Sequence, residues 1–435
     1  MPEGPAPVPP PPTRPDGLVL SPFRALRYDA DRVDLTSVTS PPYDVLDAAG
    51  VAALEEASDV NVVRLILPRD GAVEGDRYER AAATLRSWRD RGVLRHDEEP
   101  ALYVYEQASA THTQRGLVGA LALSPAEDGI VLPHENTMSD TVSDRLALYT
   151  AVQADLEPIF LVYAGGGAAS AAVAGVDART PLVDATLADG LRHRLWALTD
   201  PAELAAVAAD LRPRTALIAD GHHRYATYLQ RQAAAHAGGA GAGPWDAGLV
   251  LLVDTTSFGP EVHPIHRVVP GVGVEELARR ASEVGRVTEL DGGGVDAALD
   301  ALRDAGRRGS AYLLADGAGQ VLRLVTDLSP DGVGAALPAE RSDAWRGLDV
   351  TVLHHYLVPV VWGLHDDTDT VRFEHDVEAT LATAARTGGT AVLLNATPPD
   401  VVAAVAEQGE RMPRKSTLFT PKPRTGMVIR DHHVE

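Results

Sequence analysis

The chain has 435 residues and a mass of 46.0 kDa, which at ~150 residues per domain suggests two or three domains. Hydrophobic residues make up 45% and charged residues 23%, a globular composition that excludes wholesale disorder. The net charge of −22 disfavours nucleic acid as a partner, and zero cysteines exclude disulfides, thiolate catalysis and every cysteine-containing zinc site.

The first residues, MPEGPAPVPPPPTRPDG, carry proline at eight of the first fifteen positions and read as a polyproline-like tail, not a signal peptide. No run approaches ~18 uninterrupted apolar residues, so no membrane span is expected and a cytoplasmic protein is. Beyond the tail, NVVRLIL at 61–67 and Leu102–Glu106 read as strands, and 116–123 follows a polar turn as a hairpin partner. Residues 80–90 and 144–153 read as helices, and 158–163 as a buried strand. AGGGAASAA at 164–172 is a composition shift and a candidate boundary.

An Ala-rich helix is predicted at 202–211, then a strand at 215–219, a helix from His222, and a continuous apolar strand at 247–253. Later come a helix at 274–283, a strand at 311–314, and a strand–helix alternation across 390–407. The class is α/β to α+β, with mixed sheets and helices. The regions are a tail at 1–22, an N-terminal α/β region at 23–165, a phosphate-binding region at 173–270, and a C-terminal α/β region at 271–435.

Chemistry concentrates in three segments. In TALIADGHHRYATYL, 215–229, a strand ends at Asp220, Gly221 turns the chain, and a helix opens with His222, His223 and Arg224. The unpaired N–H groups and positive dipole end of such a helix suit an anion, onto which Arg224 can fork. Asp220 then holds Mg²⁺ or a substrate hydroxyl, or serves only as a helix cap. Adjacent histidines diverge by ~100° on a helix and cannot chelate one zinc as an i, i+4 pair does.

The second segment, VLPHENTMSDTVSDR at 131–145, supplies His134, Asn136 and Thr137 as substrate contacts, Glu135 as base or metal ligand, and Arg145 as a phosphate contact. A polar loop with surface charges is the alternative reading. The third, RMPRKSTLFTPKPRTG at 411–426, gathers Arg411, Arg414, Lys415, Lys422 and Arg424 with no acid among them, interleaved with Ser416 and Thr417. Such a focus in an acidic chain fits a structured anion site packed on the body of the protein, with a disordered basic tail as the alternative reading. Asp44 in SPPYDVLD is a base or a turn former. His263 and His266 in HPIHRVV, like His354–His355 in an apolar helix, read as structural. The P-loop, dinucleotide and hydrolase-elbow motifs are absent from the sequence.

SPPYDVL, NVVRLILP, LPHENT…DRL, ADGHHRYATYL, HPIHRVV and MPRKSTLFTPKPRTG together resemble a bacterial family known only as "domain of unknown function 1015", from about Phe23 to Val428. The DGHHR segment is also similar to the GERRxRA box of the ParB/sulfiredoxin-like superfamily, with His222 where that box has glutamate. This resemblance implies a ParB/sulfiredoxin-like nucleotide-binding core with additional α/β regions. It implies a small-molecule kinase, with L-serine as acceptor and ATP, ADP or pyrophosphate as donor. Gly221, His222, His223 and Arg224 would hold donor phosphates, and Asp220 and Glu135 Mg²⁺. Glu135 is the first choice of base and Asp44 the second, while the basic segment takes the donor phosphate or the substrate carboxylate. The alternatives are a nucleotide-binding regulatory module without turnover and a metal-assisted phosphatase. The expected partner is a small molecule, with no nucleic acid and no membrane; a homodimer is left open.

Overall fold

The computed structural model describes residues 14–70, 76–290, 292–367 and 369–434. Most of the proline-rich tail, residues 1–13, lies outside them. The fold is a mixed α/β arrangement with several sheets, divided into two compact units. The first comprises residues 1–260 and 421–435, the second Glu261–Thr420. Among the described residues no helix is long and apolar enough to cross a membrane.

The first unit is built on a nine-stranded sheet. Its centre is Ala247–Asp254, eight residues buried throughout, as expected of a continuous apolar run covered on both faces. This strand pairs antiparallel with Thr113–Ala122 on one side and parallel with Ile159–Tyr163 on the other. Thr113–Ala122 forms the expected hairpin with Leu102–Ala108. Beyond Ile159–Tyr163 lies Ala216–Asp220, antiparallel to it, and then the short edge strand Val131–Leu132. The helices Ser139–Val152 and His222–Ala237 bring Leu148, Tyr149, Tyr225 and Tyr228 into the core; the Tyr149 and Tyr228 rings lie 5.4 Å apart.

One stretch differs from the sequence-based expectation. NVVRLIL holds a short helix, Val63–Ile66, instead of a strand. Asn61 explains it: its Oδ1 accepts from the Val63 N–H at 2.9 Å, while its amide donates to Ser37 and Thr39 carbonyls. The side chain thus offers the backbone a local turn, and a four-to-eight-residue apolar run does not by itself specify a strand. The glycine-rich stretch at 164–172 runs within the first unit. It leads into the helix Ala168–Ala174, whose Ala169 N–H is received by Asp210, well inside the first unit.

A second, four-stranded sheet in this unit seats the C-terminal strand Ile429–Asp431 between Ala25–Tyr28 and Ala154–Asp155. Residues 421–434 therefore help build the first unit and place Lys422 and Arg424 there.

The second unit has a six-stranded sheet in which each neighbouring pair is antiparallel. Its core packs Leu302, Leu313, Leu324 and Leu393 with small alanines. The strands Glu261–His263 and Leu418–Thr420, at its entry and exit, pair with each other, as in a domain inserted between adjacent points of a host.

Candidate functional site

The site grows from the end of one strand. Ala216–Asp220 is buried up to its last residue, and its register against Ile159–Tyr163 shifts between Ile218 and Asp220. Shifts of this kind re-aim the side chain that follows. Gly221 then takes φ +95°, a conformation that suits glycine, and a Cβ there would lie 3.0 Å from the Arg224 guanidinium. The helix His222–Ala237 begins directly afterwards, and no side chain caps it.

Asp220 is held from two sides. One oxygen accepts from Arg224 Nη2 at 2.7 Å, and the other lies 2.6 Å from Lys422 Nζ. The same ammonium donates to Asp44 Oδ2 at 2.6 Å. Lys422 thus bridges two carboxylates, one from the N-terminal loop and one from the strand end. Burial works against the Asp44 carboxylate, but Lys422 and Arg224 outweigh it and hold the group below the usual carboxylate range. Burial likewise opposes the Lys422 charge, and the Asp220 and Asp44 carboxylates override it, raising its pKa. The side chain of Asp44 is 35% exposed, so the constellation reaches solvent at that end.

Behind this front lies a fully buried layer. Arg224 is 1% exposed; Nη1 donates to the Pro158 carbonyl at 2.6 Å, and among the described residues Nε has no hydrogen-bond partner. Glu157, wholly buried, accepts from the Tyr43 N–H at 3.0 Å and the Thr425 hydroxyl at 3.2 Å through one oxygen. Burial pushes its carboxyl up, against the opposing pull of Arg224 and Arg145. Arg424 donates to the Thr39 hydroxyl at 2.7 Å, and Ser40 bridges to Thr425. Together these contacts fasten the loop 39–45 and so fix where Asp44 stands. Arg145 lies in the interior as well: its guanidinium donates to the Ile66 carbonyl and to Asp144, and sits 4.6 Å from the Tyr43 ring centroid. The Tyr43 phenol is pushed up to about 12, chiefly by burial.

The HENT loop adjoins the same helix start. His222 Nε2 accepts from the His134 N–H at 3.2 Å, and His223 Nε2 from the Met138 N–H at 3.0 Å. Since Nε2 accepts, His222 carries its proton on Nδ1, which faces Glu135 at 3.8 Å. His134 is buried against His222, with ring centroids 4.6 Å apart, whereas Asn136 and Thr137 are exposed.

The structure therefore gathers Asp44, Asp220, Gly221, Arg224 and Lys422 at one place and sets His134, Glu135, His222 and His223 at the start of the same helix. Lys415, Ser416 and Thr417 fall in the second unit. There Lys415 has φ +56° and Ser416 donates to the Pro413 carbonyl. Sequence reasoning missed Glu157 and Tyr43. The signal for Glu157 was a lone acid opening the apolar run EPIFLVY.

Among the described residues no group of three or more His, Asp and Glu side chains could hold a metal by itself. Mg²⁺ is commonly held by one or two carboxylates with substrate phosphates completing its shell, and the Asp44–Asp220 pair already flanks a cation, the Lys422 ammonium. The pair fits the ion on those terms. A cleft of about 690 Å³ in the second unit is lined by Arg286, Arg308, Ser310, Asp327 and Arg346. Its Asp327 is paired with Arg286 at 3.0 Å, leaving no carboxylate pair for acid–base chemistry.

A family model described as "Protein of unknown function (DUF1015)" matches residues 20–351. No curated protein matches the chain. Among solved structures, a free serine kinase mutant in complex with ADP is similar at 14% identity and TM-score 0.32, over 67% of this chain and 84% of that one. SbnI with a C-terminal truncation, from Staphylococcus aureus, is similar at 9% identity and TM-score 0.35, over 73% and 89%. A conserved hypothetical protein from Pyrococcus furiosus is similar at 12% identity and TM-score 0.32, over 73% and 94%.

Proposed function

For a chain that belongs to this family of unknown function, we propose a phosphotransferase acting on the hydroxyl of a small metabolite, with a nucleotide or pyrophosphate as donor and L-serine as the acceptor to test first. The observation that carries this reading is the Lys422 ammonium held 2.6 Å from both Asp44 and Asp220, beside an uncapped helix start. The resemblance of DGHHR to a nucleotide-phosphate-binding box supports the same reading. Phosphoryl transfer through a loose transition state asks mainly for alignment and charge neutralisation.

The residues divide those tasks. Lys422 exchanges a carboxylate contact for a donor phosphate oxygen, and the helix start at His222 receives the rest of the anion. Asp44, ionised and open to solvent, accepts the hydrogen bond of the acceptor hydroxyl and orients its oxygen for attack. The geometry favours Asp44 over Glu135 for this task, because Asp44 shares Lys422 with Asp220 while Glu135 faces His222. Arg224 acts through Asp220, holding its carboxylate in place from the buried side. His222 and His223 hold the HENT loop, whose exposed Asn136 and Thr137 are the substrate contacts. Mg²⁺, held by Asp44 and Asp220, would neutralise the donor's charge.

Thermal denaturation tests the binding half of this reading. ADP, ATP or pyrophosphate with Mg²⁺ raises the Tm of the wild-type chain through mass-action linkage. Lys422→Met loses that rise. An identical rise in both proteins would remove Lys422 from the site, and no rise with any donor would overturn the reading.

A further inference from the structure

Within the second unit, Arg267 lies on the strand His266–Val269 and is 1% exposed. A guanidinium carries five N–H donors and keeps its charge, so a buried one normally meets a carboxylate. Among the described residues Arg267 meets none directly. Its Nη1 donates to the Ile265 carbonyl, Nε donates to His354 Nε2 at 3.1 Å, and Nη2 has no hydrogen-bond partner among the described residues.

The neighbouring groups sharpen this. Because Arg267 Nε can only donate, His354 Nε2 must accept, which places the His354 proton on Nδ1, 2.9 Å from Asp366 Oδ1. A neutral imidazole therefore separates the Asp366 charge from Arg267, and burial of the under-compensated guanidinium lowers its pKa to about 9. A second guanidinium stands close by. Arg267 lies 4.7 Å and Arg414 5.3 Å from the centroid of the same Phe373 ring. Arg414 is exposed, as is Lys415 after it in the chain. Two guanidinium cations, Arg267 and Arg414, against the one Asp366 carboxylate leave a net positive charge around an unmet buried donor.

We propose that Arg267 is the floor of a phosphate-binding site in the second unit, with Arg414 as its outer donor. The oxyanion takes the two N–H groups of Arg267 Nη2, and His354 with Asp366 holds the guanidinium in orientation. A phosphate group presents three strong acceptor oxygens, enough to take both Nη2 N–H groups and still reach Arg414, where a carboxylate presents two. The site is separate from the Asp44–Lys422–Asp220 constellation and does not depend on the proposed phosphotransfer.

Titration of the full chain with inorganic phosphate tests it, read by NMR on isotope-labelled arginine. The Arg267 Nε–H signal is identified by its loss in Arg267→Lys, or by the ring-current change in Phe373→Leu should the former not fold. Phosphate shifts this signal saturably in the wild type and equally in Lys422→Met, which separates this site from the other one. Arg414→Ala weakens the affinity about ten-fold, as loss of one charged hydrogen bond does. An unmoved Arg267 signal, an equal response to acetate, or an Arg414→Ala titration matching the wild type would overturn the proposal.

Discussion

Arg224 shows how one side chain can serve a site without facing it. Its guanidinium links the Pro158 carbonyl to Asp220 and lies beside the buried Glu157, whose charge and that of Asp220 outweigh the burial that opposes its ionisation. Replacing it by alanine leaves Asp220 half-unpaired and Glu157 with only Arg145 to compensate its charge. Removing one partner of a buried ionic network typically costs 3–5 kcal/mol. Arg224→Ala is therefore expected to lose roughly that much stability in urea unfolding, whatever it does to ligand binding. A loss well under about 1 kcal/mol would mean that the guanidinium is dispensable to the architecture. In the sequence Arg224 reads as an anion contact at a helix start. Its inward direction follows from the packing of Glu157 and Pro158 beneath it, and no local pattern carries that information.

At the scale of elements, the junction Asp220–Gly221–His222 was legible because its parts are local: an apolar strand, a glycine where φ turns positive, and a helical run. The short helix at 63–66 was not, because one buried asparagine decides between two readings of the same apolar run. The glycine makes its own prediction. Gly221→Ala would impose left-handed backbone on a residue with a Cβ and crowd Arg224 at 3.0 Å. A cost of about 1–3 kcal/mol is expected in urea unfolding. Because the strain falls between Asp220 and Arg224, the rise in Tm with donor should shrink as well. Wild-type stability in Gly221→Ala would show that the junction relaxes freely.

At the scale of the whole chain, the C-terminal return is what assembles the site, and it was the least legible feature. The basic segment 411–426 reads as one cluster in sequence, yet Lys415 belongs to the second unit while Lys422 and Arg424 belong to the first. Only strand pairing, Leu418–Thr420 with Glu261–His263 and then Ile429–Asp431 with Ala25–Tyr28, divides it. Each unit also carries a pH-sensitive histidine. Burial lowers His266 in the second unit and His432 in the first to about 4. The unfolded chain, with histidines near 6.5, then binds more protons than the native state between those values. Stability is accordingly present above about pH 6.5 and falls as pH drops toward 4. Urea midpoints measured across this range should decline on acidification, and His432→Gln should flatten the decline. A flat wild-type profile would show that neither histidine is held neutral by the fold.

The proposed activity is tested most directly by asking the intact protein for its product. The chain is incubated with L-serine, Mg²⁺ and ATP, ADP or pyrophosphate in turn, and phosphorus NMR follows the donor and any phosphate ester. Wild-type protein is expected to form O-phosphoserine with at least one donor. Asp220→Asn, still folded by circular dichroism, should be slower by a factor on the order of 10² or more. Absence of any phosphate ester with every donor, or equal rates for the two proteins, would contradict the role given to the Asp44–Lys422–Asp220 constellation.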